Sequence, residues 1–139
     1  MYPAMGCHEY HELAAKIYEA IKMEHTDGMY YDQLAEKAPT DEARQIIKNM
    51  ARDEHCHAHT LEMVYKELTG MNPPPEPQPP QVGEYTEALR QRLKAETDAV
   101  EFYRELYLAT HNYYLRDIFF RIMNDEIEHA LRLIYLLTF

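Results

Sequence analysis

The chain has little of what other folds and several function classes require. Its 139 residues include 4 glycines, set among short polar turns. With no strand-like alternation of apolar and polar residues, that scarcity argues against a β-protein and for an all-α chain. No run of eighteen apolar residues exists, so no membrane span is expected. A mean hydropathy of −0.59 fits a soluble protein. The opening MYPAMGCHEYHEL lacks a basic region followed by an apolar one, so no secretory leader is expected. Basic residues are outnumbered, 14 Lys and Arg against 24 Asp and Glu, leaving a net charge of −10. That balance disfavours nucleic acid and anionic membrane as partners and is compatible with cation binding. The 2 cysteines, Cys7 and Cys56, form no CxxC. Their plainest reading is two free thiols in a reducing cytoplasm, with a disulfide as the unsupported alternative.

What is present is helix periodicity and one proline-rich stretch. Of 8 prolines, 6 lie in GMNPPPEPQPPQVG, residues 70–83. This stretch separates two helical halves, and the chain reads as one domain: hairpin 8–68, strap 70–83, hairpin 84–138. In KAPTDEA, Pro39 stops one helix and Thr40 can cap the next, with Asp41 and Glu42 at the positive end of its dipole. In ATHNYY, Asn112 is a second cap. The predicted helices are 8–37, 41–68, 84–109 and 113–138. Fourteen residues of polyproline II span ~43 Å, and a 28-residue helix is ~42 Å long. The strap can therefore run the full length of a bundle, giving a four-helix bundle with one long crossover. The same length also permits a loose linker between hairpins that pair with another chain, as in a swapped dimer.

Apolar residues recur at spacings of 3 and 4 on every helix, and each stripe is interrupted at mid-length. The first stripe runs Leu13, Ile17, Ala20, Glu24, Asp27, Tyr31, Leu34. The second runs Ala43, Ile47, Met50, Glu54, His57, Leu61, Val64, Leu68. The third runs Tyr85, Leu89, Arg92, Glu96, Ala99, Tyr103, Leu106, and the fourth Leu115, Phe119, Ile122, Glu126, His129, Leu133, Leu136. Adding 72 carries Glu24 to Glu96, Tyr31 to Tyr103, Asp53 to Asp125, Glu54 to Glu126 and His57 to His129. The chain reads as an internal duplication. Glu24 and Glu54 are equidistant from Pro39, and Glu96 and Glu126 from His111. An antiparallel hairpin therefore sets each single Glu opposite a Glu-x-x-His.

With 17 Glu and 8 His in the chain, chance alone supplies about one Glu-x-x-His. The shared register and the apolar stripe are what make the combination specific. A carboxylate in an apolar core must pair, protonate or bind metal. Four glutamates are neutralised by two divalent cations, whereas only one basic residue, Arg92, lies on a stripe. Mixed carboxylate and imidazole ligation suits iron or manganese. The plainer alternative is a solvated polar layer.

The stretches EHTDGMYYDQLAEKAP, ARDEHCHAHTLEMV, KAETDAVEFYREL and NDEIEHALRL resemble the ferritin-like di-iron carboxylate proteins, most closely the rubrerythrin family. The resemblance implies that Glu24, Glu54, His57, Glu96, Glu126 and His129 hold two iron ions, and that the di-ferrous form reduces hydrogen peroxide or dioxygen. Two departures stand out. Rubrerythrins carry a rubredoxin-like domain with paired CxxC motifs, absent here, so a separate electron donor such as a rubredoxin-like protein is expected. Their additional glutamate on the third helix falls at Ala99. The matching place on the first helix is Asp27, a seventh ligand, a proton relay or a neighbouring hydrogen-bonded acid.

Asp53 and Asp125 precede the ligand glutamates and are placed to support the histidines; ordinary solvent-facing acids are the alternative. Tyr31 and Tyr103 are candidates for hydrogen-bonding the ligand carboxylates or quenching oxidising equivalents, and equally for aromatic core packing. His55 and His59, His8 and His11, and Cys7 read as surface residues, and Cys56, beside His57 but pointing elsewhere on the helix, is not counted as a ligand. The last helix is apolar on more than one face, from which a homodimer is inferred. The leading expectation is a cytoplasmic di-iron peroxidase. A ferroxidase or iron-handling protein, a metal-stapled structural bundle and, more weakly, an oxidase of an organic substrate are the alternatives.

Overall fold

The computed structural model describes residues 6–139 and contains four helices and, among those residues, no strand. The leader expectation concerns the first residues, of which 1–5 lie outside the described part. The helices are α1 (Cys7–Glu36), α2 (Asp41–Thr69), α3 (Tyr85–Ala109) and α4 (Tyr113–Leu136). They differ from the predicted spans by at most two residues at an end. No helix of the described residues is long and apolar enough to cross a membrane.

The chain divides into two compact units. One holds α1, α2 and the proline strap; the other holds α3 and α4. In the first, α1 and α2 pack antiparallel across a turn at 37–40. Thr40 caps α2 by accepting from the Ala43 amide at 3.1 Å. At the opposite end Gly70 terminates α2 in the left-handed conformation, φ 70°, and its amide donates to the Lys66 carbonyl at 2.8 Å. A side chain there would strain the backbone, which is why glycine closes this helix. The Tyr10 hydroxyl donates to the Leu68 carbonyl and ties the start of α1 to the end of α2. The core between them is Leu13, Ile17, Ile21, Leu34, Ile47, Leu61 and Val64, all buried.

The strap leaves α2 at Gly70 and returns to the far end of the same hairpin. There Gln33 Nε2 donates to the Pro80 carbonyl at 2.8 Å and Lys37 Nζ to the Val82 carbonyl at 2.7 Å. Proline cannot donate a backbone hydrogen bond, so the strap is anchored through its carbonyls by long polar side chains of α1. It thus spans the length of the hairpin, as its residue count allows.

The second unit repeats the plan. Glu84 caps α3, its carboxylate accepting from the Thr86 and Glu87 amides at 2.9 Å each. Asn112 caps α4 by accepting from the Leu115 amide at 3.1 Å. Leu89, Leu106, Leu115, Phe119 and Leu133 fill the core between the helices.

These caps yield two expectations. Thr40→Ala should destabilise the protein by about 1 kcal/mol, read from the midpoint of chemical denaturation. The two amide donors hold the Glu84 carboxyl below its ordinary value of 4.5. Its contribution is therefore present above that value and is lost as pH falls through the lowered one. Melting followed by circular dichroism should show Glu84→Ala less stable than the parent at neutral pH, with the gap closing in acid.

Candidate metal centre

The hairpin geometry places three ionisable side chains at one level in each unit. In the first, α1 supplies Glu24, while α2 supplies Glu54 and, one turn on, His57. Residues three apart on a helix share a face, and the turn at 37–40 sets Glu24 level with them. All three are sequestered: Glu24 is 2%, Glu54 0% and His57 6% exposed. His57 Nδ1 lies 3.4 Å from Glu24 Oε2 and 3.7 Å from Glu54 Oε1. In the second unit α3 supplies Glu96 and α4 supplies Glu126 and His129, all buried. His129 Nδ1 lies 3.8 Å from Glu96 Oε1 and 3.7 Å from Glu126 Oε1.

These spacings fit a bound ion. They are too long for good hydrogen bonds. Two donors each about 2.1 Å from one metal lie roughly 3.0–3.4 Å apart across ordinary coordination angles. The three donor atoms within each unit lie within 4.8 Å of one another, so a small adjustment closes them on a cation. Two carboxylates and an imidazole form a hard, mixed oxygen and nitrogen set that suits iron or manganese.

The two trios differ in one neighbour. Arg92, only 7% exposed, sends Nη2 to within 3.3 Å of Glu96 Oε1. Burial pushes the Glu96 carboxyl up, but the His129 imidazole, the Glu126 carboxyl and the Arg92 guanidinium outweigh it and hold Glu96 down at about 2. Glu96 is therefore ionised and ready to ligate across the physiological range.

The remaining candidates sit farther out. Asp27 is half-buried and lies outside the closely gathered donors. Asp53 and Asp125 are half-buried on the flanks of α2 and α4. Tyr31 and Tyr103 are fully buried, at 0%. Both cysteines are free and exposed.

His55 stays at the surface, its side chain 41% exposed. His55 is half-buried, with Nε2 2.8 Å from Asp32 Oδ2. A Cβ at Gly28 would meet the His55 ring at 2.6 Å. The sequence signal was a lone glycine inside a helical pattern, which commonly marks close packing. Neither His55 nor His59 joins a metal-sized donor group among the described residues.

Comparison with known proteins agrees with this architecture. The chain is 30% identical over 125 residues to the uncharacterized protein YhjR of Bacillus subtilis (strain 168), covering 90% of this chain and 86% of that one. It superposes on a hypothetical protein from Pyrococcus furiosus with a TM-score of 0.81 at 24% identity, over 91% of this chain and 88% of the other. A conserved hypothetical protein from Mycobacterium tuberculosis gives 0.78 at 16% identity, over 93% of each chain. These two likenesses concern the fold. The rubrerythrin family model matches residues 16–137, which take in both buried trios, and the chain belongs to the rubrerythrin family.

Proposed function

We propose that the chain is a di-iron oxidoreductase that reduces hydrogen peroxide, drawing electrons from a separate donor protein. The observation that carries this reading is the buried Glu, Glu and His trio, repeated in both hairpins of a rubrerythrin-family chain. In this proposal Glu24, Glu54, Glu96, Glu126, His57 and His129 are the iron ligands. Bound iron would supply two electrons, which with two protons convert one peroxide to two waters. The chain's own part is to hold four carboxylates in an apolar layer and to keep bulk water away. Tyr31 and Tyr103, each buried two turns beyond Glu24 and Glu96, are the aromatic groups on those helices that intercept a stray oxidising equivalent. Asp53 and Asp125 orient the histidines. A ferroxidase is the second reading, since the same donor set can treat iron as substrate.

We also propose that two copies pair through the outer face of α4. Phe120, Ile127, Leu131 and Ile134 are exposed there, and Tyr113, Phe120, Ile127 and Ile134 recur every seven residues. That is the period of a helix seam. A second copy of the same apolar seam is thus complementary in packing.

Three outcomes are expected. Protein loaded anaerobically with Fe(II) should be oxidised much faster by hydrogen peroxide than by dioxygen in stopped-flow absorbance; the reverse order would favour the ferroxidase. Glu126→Ala should lose at least one equivalent of bound iron, counted by elemental analysis, while keeping its helical circular dichroism. Leu131→Glu should convert a dimer to a monomer in size-exclusion chromatography with light scattering.

A further inference from the structure

The duplication makes the two halves directly comparable, and the comparison exposes an imbalance. Position 92 carries a guanidinium, while its counterpart 72 residues earlier is Ala20. Position 27 carries a carboxylate, while its counterpart is Ala99. Both differences act in one direction. The first hairpin surrounds its trio with an additional acid and no base on the stripe. The second surrounds its trio with a base and no additional acid.

We infer that the two metal positions are unequal. An ion is held more tightly by Glu24, Glu54 and His57 than by Glu96, Glu126 and His129, and the first position fills before the second. The inference rests on the metal-binding reading above. Its physical basis is Arg92. The guanidinium does not deprotonate, and at 7% exposure water screens it little. Its Nη2 sits 3.3 Å from Glu96 Oε1, the same oxygen that lies 3.8 Å from His129 Nδ1. It therefore competes for a lone pair that an incoming cation needs, and it repels that cation at short range. Ala20 does neither. Asp27, half-buried and one turn beyond Glu24, adds attraction on the other side. A buried unit charge one helical turn away changes a divalent ion's affinity by at least about tenfold.

Arg92 is a positioning residue in this account. Its contact occupies Glu96 Oε1 while the second position is empty, and its charge offsets part of the carboxylate charge there. It yields part of that contact when the ion arrives.

The test is a calorimetric titration of the metal-free full-length protein with Co(II). Two binding events separated by at least about tenfold are expected. His129→Ala should remove the weaker event and spare the tighter one, and His57→Ala should do the reverse. Arg92→Met should tighten the weaker event, whereas Arg92→Lys, which keeps the charge, should leave the separation in place. Circular dichroism reports whether each variant is folded; if Arg92→Met is not, the two histidine variants still decide the order. Two equal events in the parent overturn the inference. So does loss of the tighter event in His129→Ala, or an unmoved weaker event in folded Arg92→Met. Absence of any Co(II) binding overturns the metal reading itself, a distinguishable failure.

Discussion

Everything in this molecule is arranged around the cost of burying charge. Four glutamates and two histidines sit on helix faces that otherwise carry leucine, isoleucine and tyrosine, and they are as inaccessible as those residues. A carboxylate in such surroundings must be compensated. Only one permanent cation, Arg92, shares those stripes. Bound cations, in the proposed reading, would supply the rest of the compensation. Fold and ligand are therefore coupled. The apolar stripes set the level at which the carboxylates of each hairpin sit, and the carboxylates make that level suited to cations.

The antiparallel hairpin is the device that makes this possible with few residues. A single glutamate on one helix and a Glu-x-x-His on the next are brought level because both lie the same distance from the turn. Such a rule depends on counting, so it was readable before any coordinates. Helix spans, the Thr40 and Asn112 caps and the interrupted stripes follow from residue spacing and short-range chemistry, and the structure has them where the spacing puts them.

Other features depend on contacts between residues far apart in the chain and were not readable. Glutamate is an uncommon cap, and Glu84 serves as one because the strap delivers it in extended conformation to the first turn of α3. The packing of His55 on Gly28 joins residues on different helices. Asp27 shares the periodicity of the core stripe but not its depth, because periodicity fixes a direction around the helix and not how far a short side chain reaches. The strap's length was legible from its prolines, whereas its anchors on Gln33 and Lys37 were not.

The strap also bears on how the two halves became different. Two separate copies of one hairpin would be encoded once, and every substitution would appear in both. A guanidinium beside one trio would then always be matched by a guanidinium beside the other. Joining the copies through residues 70–83 gives each its own coding stretch. Arginine can then stand at 92 while alanine stands at 20, and aspartate at 27 while alanine stands at 99. Encoding both halves in one chain is what lets them differ, so a pair of unlike trios is open to a chain so joined.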